Sequence, residues 1–364
     1  MKHSLIILFS LTATLGFANM ASPIREGTYS SSAFSSRDID ILKEKIYLTI
    51  DKNFATASYI IEYFIKTDKD GKQIPLLFHA KDYRDDFKVW IDNHEVKLLT
   101  IPEGYKTTNN SFLRNFSNSV DTPSADVETV TIYWDKTSGY VYNLLELKYF
   151  EADLTKGEHT VRVEYTADVW IDVSDWVTEY SFRYSLSPAK NWRSFGSLEI
   201  ILNGNAFNGF PSTNIGKPTI AKPDSTVWNF SKLPADYLII THTPPISKLA
   251  TKMIALGPEG VTAILALLIA LLHFFGIKKY RKQEPTKRYS WVVIAGSIII
   301  PLLILVIYLY SYDLIDSIIG ESASRYHGYT FLAIILYPIL LPVYWVIMWL
   351  IDRIIRGRIN KSLA

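Results

Sequence analysis

The chain has 364 residues, a formal net charge of +2 at pH 7 and no cysteine. This length predicts two or three structural units rather than one. Without cysteine the chain cannot form disulfides or carry a lipoprotein-type lipid anchor, so an exported domain must be stable through its core alone. Two short C-terminal segments carry a net positive charge, which leaves the exported part mildly acidic and argues against nucleic acid as a partner.

Residues 1–18 predict a cleaved signal peptide. Lys2 precedes an apolar run over 5–15, and the small residues Gly16 and Ala18 suit a signal peptidase. The alternative is a retained anchor, but the apolar run is too short to cross a bilayer core of about 30 Å. Residues 19–40 include the serine-rich stretch GTYSSSAFSS and predict a flexible tether.

Alternation of apolar and polar residues predicts a mainly β exported domain, an antiparallel sandwich or two sandwiches in tandem. A β-sandwich region is expected over 41–172 and a second β region over 173–247. The segments ATASYIIEYFIKT and QIPLLFHA flank the turn DKDG at 68–71 and are expected to pair as a hairpin. Residues 103–126 lack such a pattern and form either a disordered segment or a functional loop.

An all-α membrane part is predicted over 248–364. Three stretches in it contain no Asp, Glu, Lys or Arg, and each is long enough to cross a bilayer. They predict transmembrane helices over 261–277, 290–312 and 329–351. Prolines within these stretches indicate kinks that neighbouring helices, of this chain or of a partner, would stabilise.

The charges between the predicted helices indicate the orientation in the membrane. The loop 278–288 carries six basic residues and the tail from Asp352 four, whereas 313–328 carries three acids and one arginine. By the positive-inside rule, the first two segments are cytoplasmic and the third is outside. The sequence therefore predicts a multi-pass protein of the bacterial cytoplasmic membrane, with an exported, periplasmic N-terminal domain and a cytoplasmic C-terminus.

The stretch YSFRYSLSPAKNWRSFGSLEIIL, which begins at Tyr180, contains two alternating strands separated by a loop. In the loop, Trp192 lies between Lys190 and Arg193. These three residues are ligand-binding candidates, because an aromatic ring beside cations can stack on a sugar or bind an anionic peptide. The alternative is that Trp192 folds back over the end of the sandwich.

The same stretch carries a resemblance to a group of known sequences. Tyr184, Leu186 and Trp192 follow a pattern that resembles a segment of uncharacterised bacterial exported β-domain proteins with membrane anchors. The resemblance covers only the region around these residues and implies no known activity.

A cluster of acids supplies the candidate metal ligands Asp85, Asp86, Asp92 and His94, since hard cations bind several oxygen ligands on a loop. Basic residues are interleaved with them, so mutual neutralisation of charge is the alternative interpretation. No catalytic residue and no cofactor is predicted, because the motifs of zinc peptidases, serine hydrolases, phosphate-binding loops and dinucleotide-binding turns do not occur.

His273 is an ionisable residue within the first predicted transmembrane helix. Such residues are candidates for a functional site by default, and an ion or proton path would use one. His273 is also near the basic loop that begins at Lys278, so its side chain is expected to extend towards the membrane interface.

These observations predict a membrane-anchored exported protein with a binding, scaffolding or complex-assembly role and an unknown ligand. The alternatives are a cell-envelope hydrolase and an accessory subunit of a transport complex. The expected partners are the lipid bilayer and either another membrane protein or a second copy of the chain.

Overall fold

A computed structural model describes residues 23–25, 29–31, 39–81, 86–99, 119–123, 128–133, 139–143, 147–186, 189, 192–203, 211–222 and 225–363. The predicted signal peptide, the candidates Asp85 and Lys190, and most of the tether and of the segment 103–126 lie outside these residues. The described residues form two compact units. We call them the β unit, Ile24–Asp172 and Glu179–Thr243, and the helical unit, which includes Val173–Thr178 and Pro244–Ala364.

The predicted order of a sheet-rich part followed by apolar helices is confirmed. Nine of the described strands form the larger sheet of the β unit, in the order β18-β19-β16-β3-β4-β12-β6-β7 with β15 beside β3. They are β3 (Ile39–Ile50), β4 (Thr56–Thr67), β6 (Lys88–Ile91), β7 (His94–Val96), β12 (Gly157–Asp168), β15 (Ser194–Phe195), β16 (Leu198–Asn203), β18 (Ile220–Ala221) and β19 (Ser225–Phe230).

Eight further strands form the second sheet, in the order β1-β13-β14-β2-β5-β11 with β20 beside β14 and β17 beside β20. They are β1 (Ile24–Arg25), β2 (Tyr29–Ser31), β5 (Gly71–Lys81), β11 (Leu147–Leu154), β13 (Trp170–Asp172), β14 (Glu179–Ser185), β17 (Ser212–Thr213) and β20 (Tyr237–His242). A small sheet contains β8 (Ser119–Pro123), β9 (Glu128–Tyr133) and β10 (Gly139–Asn143).

The sheets are mixed, which corrects the expectation of purely antiparallel pairing. Strand β3 pairs with β4 in antiparallel fashion but with β16 and β15 in parallel, and β14 runs parallel to β2. Parallel partners require long crossover connections, which short-range turn signals in a sequence do not report. Since β3 and β16 come from the two predicted β regions, the expected boundary at 172–173 does not coincide with a break in the larger sheet.

The predicted hairpin at 68–71 is also corrected. Strand β4 has β3 along one edge and β12 along the other, in registers that extend over nearly its whole length. Both edges are therefore occupied, and β5 joins the second sheet, where it pairs with β11 and β2. The DKDG turn carries the chain from one sheet to the other.

Buried side chains of both large sheets belong to one hydrophobic core. Ile46 and Ile61 come from the larger sheet, and Phe182 and Ile240 come from the second sheet. Burial of each such side chain contributes on the order of 2 kcal/mol of transfer free energy. In β14, Phe182 and Tyr184 are buried as the alternation predicts, but Ser181 and Ser185 of the opposite face are buried too. The loop after β14 connects the second sheet to the larger sheet.

Within residues 244–363 the helical unit has three long helices: α1 (Lys248–Gln283), α2 (Trp291–Ile319) and α3 (Tyr337–Leu363), the last preceded by a 3-10 segment, Thr330–Leu336. Each packs against the other two. All three spans within 225–363 are long and apolar enough to cross a membrane. Helix α1 extends beyond the predicted range 261–277 at both ends, because helical backbone continues through the charged residues on either side of the apolar stretch.

The bundle has two chemically different ends. At one end, which we call the basic end, Arg281 of α1 binds Asp352 of α3. At the other, which we call the kink end, α1 bends at Gly257 and α2 ends at Ile319, with Gly320 as its C-cap. Hydrogen-bonding side chains between these ends tie the helices together, as is common in membrane bundles.

Candidate functional site

The candidate site lies in the helical unit, where α1 bends. Gly257 has φ 68° and ψ 169°, a conformation that residues with a side chain rarely adopt. A Cβ added there would also lie 2.9 Å from Oε2 of Glu259. Pro258 follows and lacks the N–H that would continue the helical hydrogen bonds. The break separates the first turns of α1 from the rest of the helix.

A cavity of about 530 Å³ lies against this break. Its walls are the segments 174–176, 254–259 and 326–328, together with Tyr312 of α2. The volume falls within the range of about 300–1,000 Å³ that is usual for small-molecule sites. The cavity therefore has the size and the converging side chains of a ligand site.

One wall is the segment Val173–Thr178, the connection between β13 and β14. Its backbone pairs with the connection between α2 and α3: the Thr178 N–H donates to the Ser322 carbonyl at 2.9 Å, and the Ser324 N–H donates to the Trp176 carbonyl at 3.0 Å. Val177 and Ala323 form an antiparallel bridge between these bonds. These backbone bonds hold Trp176 over the kink end of the bundle.

Three rings pack together in this wall. Trp176 stacks on Tyr312 with 5.7 Å between centroids, and His327 lies tilted against both, at 4.9 Å from Trp176 and 4.8 Å from Tyr312. The Tyr312 hydroxyl shares a 2.9 Å hydrogen bond with Tyr308 one turn earlier. Ring pairs at such distances contribute roughly 0.5–1.5 kcal/mol beyond area burial, so this wall is a rigid aromatic surface.

Behind the rings lies a pair of ionisable groups. Nε2 of His327 lies 2.7 Å from Oδ2 of Asp316, and this bond fixes the orientation of the imidazole. Asp316 is only 8% exposed, and its other oxygen, Oδ1, has no hydrogen-bond partner among the described residues. A carboxylate that orients a histidine in this way is an arrangement that can support ligand binding or proton transfer.

Trp192, the central ligand-binding candidate, lies in the core of the β unit. It is 6% exposed and stacks on Tyr63 with 6.4 Å between centroids and an interplanar angle of 10°. This position matches the alternative interpretation, in which the ring packs over the end of the sandwich. Lys190 lies outside the described residues.

Arg193, the third candidate, is engaged by two carboxylates. Its Nε donates to Oδ1 of Asp40 at 2.8 Å, and its other nitrogens bind the second oxygen of Asp40 and the carboxylate of Asp68. The hydrogen bonds from Arg193 and Ser194 lower the pKa of Asp40 to about 2. The guanidinium thus ties β3 to the turn at 68–71.

The candidate metal ligands are not brought together. Asp86 accepts a hydrogen bond from Thr166 N–H, whereas Asp92 accepts one from Thr160 N–H at the opposite end of β6, roughly 20 Å along a strand. His94 donates from Nδ1 to the carbonyl of Asp92. Asp85 lies outside the described residues. No group of three potential ligands that could hold a metal occurs in the part of the chain that the structure describes.

Asp92 instead pairs with a histidine that the sequence did not single out. Nδ1 of His159 lies 2.7 Å from Oδ2 of Asp92, and Nε2 lies 2.7 Å from the carbonyl of Thr155. Partial burial opposes the charged form, yet these two acceptors raise the pKa of His159 above its ordinary value. The pair fixes the turn after β6 on the end of β12.

His273 does not extend towards the membrane interface, which corrects that expectation. The residue is 7% exposed and lies between the three helices, with Nε2 3.1 Å from the Val292 carbonyl and Nδ1 3.0 Å from the Tyr344 hydroxyl. The carbonyl accepts from Nε2–H, so Nδ1 can accept from the tyrosine. A neutral imidazole satisfies both contacts, and Gly296 leaves room for the ring.

Sequence reasoning missed Trp176, Asp316 and His327 as a group. Asp316 and His327 stood in the predicted external loop, where Asp316 was counted only as an acid for the topology and His327 was not used. Trp176 was assigned to a β region, and no periodicity links it to the helices. The available signal was the break GPEG at 257–260, which interrupts an apolar helix and marks a candidate site.

Comparison with known proteins adds no family. No family model matches the chain, and no curated protein matches it. Among solved structures it is similar to a Legionella pneumophila protein with a proposed nutrient-binding role, at TM-score 0.39 and 14% identity, over 60% of this chain and 72% of that one.

Two peptidase-related structures show weaker likeness. Yeast LTA4 hydrolase has TM-score 0.28 and 7% identity over 58% of this chain and 30% of that one. An M1 zinc metallopeptidase from Deinococcus radiodurans has TM-score 0.28 and 9% identity over 59% and 46%. At these TM-scores none of the likenesses carries an argument about fold or function.

Proposed function

We propose that this protein is a membrane-anchored ligand-binding protein, with its β unit exported and its ligand site in the cavity at the kink end of the helical unit. The observation that carries the proposal is the cavity itself, which combines a usual ligand-site volume with a rigid aromatic wall and ionisable groups. In ligand sites of this size, a few placed polar groups fix the orientation of the ligand.

The proposed topology follows from the distribution of charge along the helical unit. The basic end, with the loop 278–288 and the tail from Asp352, faces the cytoplasm, and the acidic connection at 313–328 faces outside. Under this topology the cavity opens on the exported side of a bacterial cytoplasmic membrane. A ligand could then reach it without crossing the bilayer, after export of the chain by a signal peptide at 1–18.

Large apolar side chains are exposed on all three helices, for example Leu272, Ile299 and Ile339. Such surfaces suit contact with lipid chains or with another helix. We therefore propose the lipid bilayer as one partner, and another membrane protein or a second copy of the chain as the other. The protein would have a scaffolding or assembly role that ligand binding regulates.

The proposal is tested by filling the cavity with a large side chain and measuring whether ligands still bind. Ala255 lines it from the exposed surface of α1, so Ala255→Trp should occupy the space without disturbing the helical core. Leu249→Trp is the control, because Leu249 is 59% exposed on the same helix and does not line the cavity. Both variants and the parent, full length in detergent, are screened against a small-molecule set by ligand-observed NMR. Ligands that bind the parent and the control but not Ala255→Trp support the proposal; equal binding to all three proteins contradicts it.

The pair of Asp316 and His327 favours a second candidate function, a cell-envelope hydrolase. In that case His327, oriented by Asp316, would act as a general base towards a substrate in the cavity. His327→Gln should then abolish turnover of model esters and peptides while leaving ligand binding detectable. A parent protein that binds ligands but turns over none of these substrates would leave binding as the function.

A further inference from the structure

We infer that the cavity takes a small organic cation, an alkylammonium compound, as its ligand. This inference rests on the proposed binding function and names its ligand class. Three properties of the cavity support it: the sign of the charge around it, the aromatic residues that line one side, and the burial of Asp316 next to it.

The charge around the cavity is negative. Asp175 and Glu259 line it, and no lysine or arginine is among the described lining residues. Both side chains are on exposed parts of the wall. Clefts bordered by charges of one sign concentrate ligands of the opposite sign.

The aromatic wall suits a cation as well. Trp176 and Tyr312 both line the cavity while they stack on each other, and Tyr326 adds a third ring to the lining. The electron-rich faces of tryptophan and tyrosine attract ammonium groups, and quaternary ammonium compounds are recognised in this way. An anionic ligand would meet both the carboxylates and these ring faces unfavourably.

Asp316 adds an independent observation. The residue is more than nine-tenths buried behind His327, and its Oδ1 lacks a hydrogen-bond partner among the described residues. A buried carboxylate oxygen without a donor is costly unless a positive group lies near it. Asp316 does not line the cavity, but its hydrogen bond to His327, which does, places a further carboxyl group next to the wall.

The test compares two molecules of the same shape. Choline and its neutral carbon analogue 3,3-dimethylbutan-1-ol differ in charge but hardly in size, so their difference in affinity isolates the charge. Both are titrated into the full-length protein in a non-ionic detergent by calorimetry. Glu259→Gln removes one lining carboxylate from an exposed position, and Glu321→Gln, exposed in the connection after α2 and outside the lining, is the matched control.

We expect choline to bind at least about tenfold more tightly than the alcohol, the range of one or two partly desolvated cation–π and charge contacts. Glu259→Gln should weaken choline binding by about twofold to fivefold and leave the alcohol unchanged, while Glu321→Gln changes neither. Equal affinity for the two probes overturns the cation assignment, yet leaves the binding function intact if Ala255→Trp abolishes both. No binding of choline or tetramethylammonium at millimolar concentration also overturns the assignment, and the NMR screen then decides the binding function separately.

Discussion

Glu44 gives the β unit a stability that depends on pH. Its carboxyl group is fully buried in β3, where Oε1 accepts a 3.0 Å hydrogen bond from the Tyr184 hydroxyl, which itself is 2.8 Å from the hydroxyl of Tyr63. The other oxygen, Oε2, has no partner among the described residues. Burial raises the pKa of Glu44 from 4.5 to about 7, although the hydrogen bonds from Tyr184 and Tyr63 oppose the shift.

The sign and size of the effect follow from this shift. Between pH 4.5 and about 7 the folded protein keeps the proton that the unfolded chain has lost. Stability therefore falls as pH rises through this window, by about 1.4 kcal/mol per pH unit, and levels off above it. The total loss is on the order of 3 kcal/mol. Glu44→Gln removes the ionisable group while keeping an oxygen that can accept from Tyr184.

The assay is urea unfolding of the full-length protein in non-ionic detergent at pH 5 and pH 8, followed by near-UV circular dichroism of the β unit. The parent should lose on the order of 3 kcal/mol of unfolding free energy between these pH values, and Glu44→Gln should lose much less. Glu62→Gln, on the neighbouring strand β4 and not fully buried, should behave as the parent. The same pH dependence in Glu44→Gln and in the parent would refute the reasoning.

Two further predictions concern the helical unit and are checked by thermal unfolding in detergent. Asp352→Ala leaves the guanidinium of Arg281, 1% exposed, without its ion pair and should lower the unfolding free energy by roughly 3–5 kcal/mol. The double replacement Arg281→Met with Asp352→Leu should lower it by less, because no buried charge is left unpaired. Equal losses in the two variants would contradict this. Gly296→Ala would put a Cβ 2.2 Å from Nε2 of His273 and should destabilise by roughly 1–3 kcal/mol. Gly276→Ala is the control and should be tolerated, because its Cβ would lie 3.7 Å from the nearest neighbouring atom. A similar loss of stability in both glycine variants would show that the contact with His273 is not the cause.

The helical part of the fold was predictable because its physical signal is local. Charge-free stretches of bilayer length predicted each helix, and the structure has α1, α2 and α3 in those places. Their ends were not predictable from the same signal, since helical hydrogen bonding continues past the first charged residue. The kink at 257–258 was visible as GPEG, but its effect on the path of α1 depends on packing against the rest of the unit.

The strands were also predictable one by one, whereas their partners were not. Alternation identified β4 and β14, and the burial of Phe182 and Tyr184 follows it. Whether β4 pairs with β5 or with β12 depends on which edge is already occupied, and that is a property of the whole sheet. Parallel pairing of β3 with β16 joins segments too distant in sequence for any turn signal to report.

The candidate site was beyond sequence reasoning for a related reason. Trp176 comes from a connection between two strands, whereas Asp316 and His327 come from the end of α2 and the connection after it. No spacing rule links these positions, because a backbone bridge through Val177 and Ala323 brings them together. Trp192, the ligand-binding candidate of the sequence, packs its ring on Tyr63, in line with the alternative interpretation that the sequence also offered.

The most direct test of the central claim is accessibility of the cavity from outside the membrane. The chain has no cysteine, so single cysteines can be placed by Ser174→Cys, in the cavity wall, and by Gln283→Cys, at the basic end. We predict that a membrane-impermeant maleimide labels Ser174→Cys in intact spheroplasts and labels Gln283→Cys only after lysis. Labelling of Gln283→Cys in intact spheroplasts, with Ser174→Cys protected until lysis, would contradict the proposed topology and with it an external ligand site.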